Sequence, residues 1–222
     1  MGTDIHLAVE VKRSGAWGPS KMVANKYADY DDDPPMVPEC PYDSRNYDVF
    51  AILANVRNGR GFAGCDTGDG FVPIAMPRGF PSDMHEDTKL CADGYHDETW
   101  LTLNELQDHD WDQVCCKRGL VQADIYKEWK ASGETFPSSW CGDTNAPQMS
   151  EKEFAEAEEA VGTLPVKPDY DPERTYIRSE WPVTHRQAAK NFLNSVIPYM
   201  ESFLPEVGGD TNKIRLIFNF DS

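Results

Sequence analysis

Two stretches, one near each end of the chain, alternate between apolar and polar residues. Ile5, Leu7, Val9 and Val11 interleave with Asp4, His6, Glu10 and Lys12; Ile214, Leu216, Phe218 and Phe220 interleave with Arg215, Asn219 and Asp221. Period two over that length is the signature of a half-buried strand. Between them the strongest periodicities are helical. Arg45 to about Val56 sets Tyr47, Phe50, Ala51 and Ala54 on one stripe behind Ser44, and Gly59 and Gly61 read as its stop. Capping boxes at Thr102/Glu105, Ser150/Glu153 and Thr184/Gln187 open further helices. Strands at both ends with helices between predict an α+β fold. One antiparallel-rich sheet contains the N- and C-terminal strands and is packed by helices.

The 222 residues suit a single domain, 1–222, with a core of about 1–106 and 176–222 and a helical and loop elaboration of about 107–175. Ser14-Gly15 turns the first strand, and Lys21 to Ala24 reads as a short return strand. Lys26 to Ser44, with Asp31-Asp32-Asp33 and its prolines, reads as loop. Helical character is expected in pieces from Thr102 to Trp129, broken near Gly119, and in one last helix from His185 to about Phe203, kinked at Pro198. Pro165 to Pro182 reads as extended.

The net charge of −17 argues against direct coating of DNA or RNA, which needs a basic face. No apolar run approaches the roughly 18 residues of a membrane span, and no signal peptide is apparent, so a soluble cytoplasmic protein is expected. The six cysteines lack CxxC spacing and fit reduced thiols.

The charge is uneven. From Ser44 to Pro81 the charged residues are four arginines and three aspartates, a window of +1 that leaves −18 for the rest. Arginine without lysine suits planar, bidentate recognition of phosphate or carboxylate. Arg57, Asn58, Arg60 and Arg78 are therefore candidate phosphate ligands, with Tyr47, Phe62, Phe80 or Trp100 stacking on a base. The competing reading pairs these arginines with nearby carboxylates. The run Arg57-Asn58-Gly59-Arg60-Gly61 has neither the Walker nor the Rossmann spacing.

Candidate catalytic groups sit on the terminal strands. Asp4 and His6 share a strand face about 7 Å apart, where Asp221 or Asn219 joins them if the strands are neighbours. Such a set suits acid–base work or a divalent metal at Asp4, His6 and Asp221; no other cofactor is expected. His96, ahead of a helix start, is the second histidine candidate.

Several blocks carry a resemblance. Met1-Gly2-x-Asp4-Ile5-His6, Arg45-Asn46-Tyr47 running to Val56-Arg57-Asn58, Pro77-Arg78-Gly79-x-Pro81, Trp100-Leu101-Thr102 and Phe218-Asn219-Phe220-Asp221 resemble, in that order, a family of uncharacterised phage and prophage proteins beginning Met-Gly-Cys/Thr-Asp-Ile-His. The family's block before the Trp-Leu-Thr helix is often His-Ser-rich; here it reads His96-Asp97-Glu98-Thr99. The resemblance implies a phage origin. Together with the arginine window it leads to the expectation of a counter-defence protein that sequesters a phosphate-bearing nucleotide signal. The enzyme-class alternative is a phosphodiesterase-type hydrolase of a cyclic nucleotide using Asp4, His6, His96 and Asp221. The third is an acidic nucleic-acid mimic that blocks a host protein. Homo-oligomerisation is left open.

Overall fold

The computed structural model describes residues 2–26, 33–89, 95–161 and 170–221. Along the chain come β1 (Ile5–Arg13), β2 (Ala16–Pro19), β3 (Met22–Ala24), β4 (Met36–Pro38), α1 (Tyr47–Ala54) and α2 (Glu86–Lys89). Then follow β5 (His96–Thr102), α3 (Leu103–Asp108), β6 (Val114–Gln122), α4 (Ala123–Ser132), β7 (Gln148–Ser150) and α5 (Glu151–Val161). After them come β8 (Tyr176–Thr184), α6 (His185–Ala188), α7 (Lys190–Glu201) and β9 (Ile214–Phe220). The fold is α+β. Asp31, Asp32, Cys91 and the start of the proline-rich run, 165–169, lie outside the described residues. Contacts divide the chain into two compact units: Met1–Asn58, Phe71–Asp112 and Arg186–Ser222 form one, Gly59–Gly70 and Gln113–His185 the other.

The first unit is built on an antiparallel sheet in the order β2-β1-β9-β5. β9 lies between β1 and β5 and is buried along its whole length. The alternation explains one face, where Phe220 meets Phe50 of α1 at 5.0 Å between ring centroids. The other face is also covered. Glu10, expected to face solvent, is 0% exposed because it lies opposite Arg215 in the register. The two form a buried ion pair at 2.7 Å, with the guanidinium 3.9 Å from the Trp17 ring of β2 and bonded to Asp83 at 2.8 Å.

Local chemistry shifts two of the expected boundaries. Asn46, not Ser44, caps α1: its Oδ1 accepts from the amides of Asp48 and Val49. Asn55, left-handed at φ 61°, ends the helix before either glycine is reached. Val49 to Ala54 are all buried, so α1 is enclosed on every side rather than along one stripe. The return strand is β2; the Lys21 to Ala24 stretch supplies β3 instead, and β3 pairs with β4.

The Thr102 capping box is present, opening α3 directly from β5. Thr102→Ala removes the hydroxyl that accepts from the Glu105 amide at 3.1 Å. It is expected to cost about 1 kcal/mol, read as a shift in the urea midpoint at unchanged slope.

In the second unit the strand order is β6-β8-β7, with β7 parallel to β8. β6 occupies the stretch expected to be helical before and across Gly119, and the helix begins only at Ala123. Its pairing with β8 from Val114 to Gln122 outweighs any local helical preference. The core is aromatic: Tyr126, Trp129, Phe154, Tyr170 and Trp181 pack around Val121 and Ile177. Phe154, on a helix expected at the surface, is 5% exposed because Tyr126 meets it edge-on and Tyr170 at a tilt. Gly59 serves as a close-approach residue, since a Cβ there would lie 2.7 Å from the Gly68 carbonyl oxygen. The last helical stretch is divided at Ala189 into α6 and α7, with Pro198 inside α7.

Candidate active site

Antiparallel pairing of β9 with both β1 and β5 brings three chain segments together at one end of these strands. Ile5 and His96 both lie opposite Phe220, so His6, His96 and Asp221 meet around the end of β9. Asp221 organises the group. Its Oδ1 accepts from the Asp4 amide at 2.7 Å, and its Oδ2 lies 3.2 Å from His6 Nε2. Its carbonyl oxygen lies 3.1 Å from His96 Nε2.

The two histidines are held differently. The His6 ring stacks on Tyr95 at 4.2 Å between centroids and 2° between planes. With Nε2 facing a carboxylate, the hydrogen of a neutral ring belongs on Nε2, which leaves the Nδ1 lone pair outward. Nδ1 has no hydrogen-bond partner among the described residues, and the side chain is 33% exposed. That is the arrangement of an oriented general base. His96 instead faces acceptors at both nitrogens, the Asp221 carbonyl and Asp97 Oδ2 at 2.7 Å. A hydrogen on either nitrogen finds an acceptor, and the Asp97 side, where both side chains are exposed, is where the ring can hand a proton on.

Two arginines bracket the segment leading into β1. Arg45 grips Asp4 with Nε at 2.7 Å and Nη2 at 2.5 Å. Arg57 Nε donates to Thr3 Oγ1 at 2.6 Å while its guanidinium lies 5.2 Å from the Tyr47 ring. The Arg45 hydrogen bonds hold the Asp4 carboxyl below its ordinary range. A lowered carboxyl contributes its stability above the unfolded value, about 3.9, and loses it as pH falls through the folded one. The stability difference between the native chain and Arg45→Met should therefore be level from pH 8 to 5 and shrink below pH 4, measured by urea midpoints.

The other residues expected to bind an anion are employed elsewhere. Asn58 clamps the Phe71 backbone, accepting from its amide at 2.6 Å and donating to its carbonyl at 2.7 Å. Arg78 pairs with Glu105 at 2.9 Å, donates to the Trp100 carbonyl and lies 3.9 Å from the Trp100 ring. Phe80 is half-buried in the first unit, whereas Arg60 and Phe62 are exposed in the second. The four expected phosphate ligands thus belong to different units, and within the first unit Asn58 and Arg78 have structural partners.

Among the described residues no group of three His, Cys, Asp or Glu side chains is placed to hold a metal ion. Within the expected set, Arg45 occupies the Asp4 carboxylate. The residues that sequence reasoning missed are Tyr95, Asp97 and Arg45. Asp97 and Tyr95 flank His96, and Arg45 lies in the arginine window, so each carried a weak local signal. Comparison of the chain with family models, curated proteins and solved structures gave no match.

Proposed function

We propose that the protein is a phosphodiesterase-type hydrolase acting on a phosphate-bearing nucleotide, with His6 as general base and His96 as general acid. The observation that carries this reading is the double use of Asp221. Its carboxylate orients His6 with Nδ1 open, and its carbonyl holds His96 alongside. In the proposed step Nδ1 of His6 takes a proton from water, the water oxygen bonds to phosphorus and the ester P–O bond breaks. The leaving oxygen receives its proton from His96, and both rings then exchange protons with solvent. Arg57, bonded to the neutral Thr3 hydroxyl, supplies positive charge beside the site that favours an anionic substrate, while the Arg45 charge is offset by Asp4. The phage-like blocks support a cyclic nucleotide signal of host defence as that substrate, met in the host cytoplasm.

The experiment is incubation with a panel of cyclic mono- and dinucleotides, heating to release bound material, and chromatography, with and without a chelator. Consumption of one nucleotide and appearance of its linear product supports the reading. Quantitative recovery of an intact bound nucleotide overturns it in favour of sequestration. Binding only to a basic partner protein favours the acidic mimic.

A further inference from the structure

The second unit contains a cavity of about 440 Å³ on the face of β6 and β8. Arg118 and Arg178, Asp66, Asp143 and Glu180 line it, with Leu120 as its apolar element. These charges differ in how far their neighbours satisfy them.

Arg118 is saturated. Its three nitrogens reach Glu180 at 3.1 Å, Asp66 at 3.0 Å and Asp69 at 2.7 Å. Arg178 is not. Only its Nε is engaged, donating to Gln148 Oε1 at 3.1 Å, and Gln148 is itself anchored through Nε2 to the Thr144 carbonyl at 2.9 Å. That bond fixes the guanidinium, while its two terminal nitrogens have no hydrogen-bond partner among the described residues. Asp143 is the complementary case. It accepts a hydrogen bond from the Thr144 amide at 2.8 Å, but no cation pairs with it among the described residues. The lining therefore presents one guanidinium whose fork has no hydrogen-bond partner among the described residues, though Glu153 feels its charge, and one anion without a cation among them, beside an ion cluster whose carboxylates outnumber its arginine.

A polyphosphate would meet that surplus of carboxylates. A molecule carrying both charges would not. We propose that the cavity binds a small zwitterion of the amino-acid or dipeptide class, its carboxylate on the Arg178 fork and its ammonium toward Asp143, with an apolar side chain against Leu120. This site is independent of the histidines on the first unit.

The test is calorimetric titration of the whole protein with glycyl-leucine, N-acetylglycyl-leucine, which lacks the ammonium, and glycyl-leucinamide, which lacks the carboxylate. The dipeptide is expected to bind one to one, with each capped analogue at least tenfold weaker. Arg178→Gln should weaken the dipeptide at least tenfold. Asp143→Asn should weaken the dipeptide but leave the acetylated analogue unchanged. Both side chains are exposed, and unaltered melting of both variants would establish that they fold. No binding of the dipeptide, equal binding of the acetylated analogue, tighter binding of inorganic phosphate, or full affinity in Arg178→Gln would each overturn the assignment.

Discussion

Glu10→Gln should be the most damaging single substitution considered for the first unit, with an expected loss of about 3–5 kcal/mol. It strips the fully buried Arg215 of the partner at 2.7 Å, although the two side chains are only 3% and 0% exposed. Asp83, the other carboxylate on Arg215, is 57% exposed. Its replacement by Asn should therefore cost less than about 1 kcal/mol. Because the damage comes from a buried charge left with only a solvent-exposed partner, Glu10→Leu combined with Arg215→Leu should be milder than Glu10→Gln alone. Urea unfolding of the three variants separates these cases. Equal losses for Glu10→Gln and Asp83→Asn would show that burial is not what makes the pair matter.

The second large effect concerns turnover. In the proposed hydrolase, His6→Asn removes the base and should lower the rate on a consumed nucleotide by about 10²–10⁴-fold. Asp221→Asn should act in the same range, since it loses the carboxylate that orients the His6 ring. His6 is only partly buried, so the melting temperature of His6→Asn should stay close to the native value. Arg78→Ala provides the contrast. Its guanidinium is committed to Glu105 and the Trp100 carbonyl, so it should lower stability while leaving turnover within about twofold. A rate loss for Arg78→Ala as large as that for His6→Asn would return the site to the arginine window.

How far the sequence could be read depended on whether the decisive interaction was local. Alternation in β1 and β9 needs only a few consecutive residues, and both strands were legible, as was the Thr102 capping box. The buried state of Glu10 was not, because its cause lies at Arg215, in another strand. β6 was misread for the same reason: it is a strand by virtue of β8, and its own residues carry no clean alternation. For the candidate site, Asp4, His6, His96 and Asp221 were all named from the sequence, and the structure brings them together at the ends of β1, β5 and β9. The arginines were grouped by nearness along the chain. The structure gives Arg78 its own carboxylate partner and places Arg60 in a different unit.

The position of β9 has a consequence for how the protein comes into being. β1 and β5 do not pair with each other; each pairs with a strand made later than both. During synthesis β1 can pair at once with β2, but the edge that takes β9 waits until a segment roughly two hundred residues downstream emerges; the Asp4 amide and the Asp221 side chain it bonds are 217 positions apart. Closing so long a loop early is entropically costly, which favours slow, late formation of this sheet. The histidines acquire their shared aspartate in that same event. A ribosome-bound chain stalled before Ile214 would thus be expected to hold at most the β1–β2 pairing and to lack both the four-stranded sheet and the site.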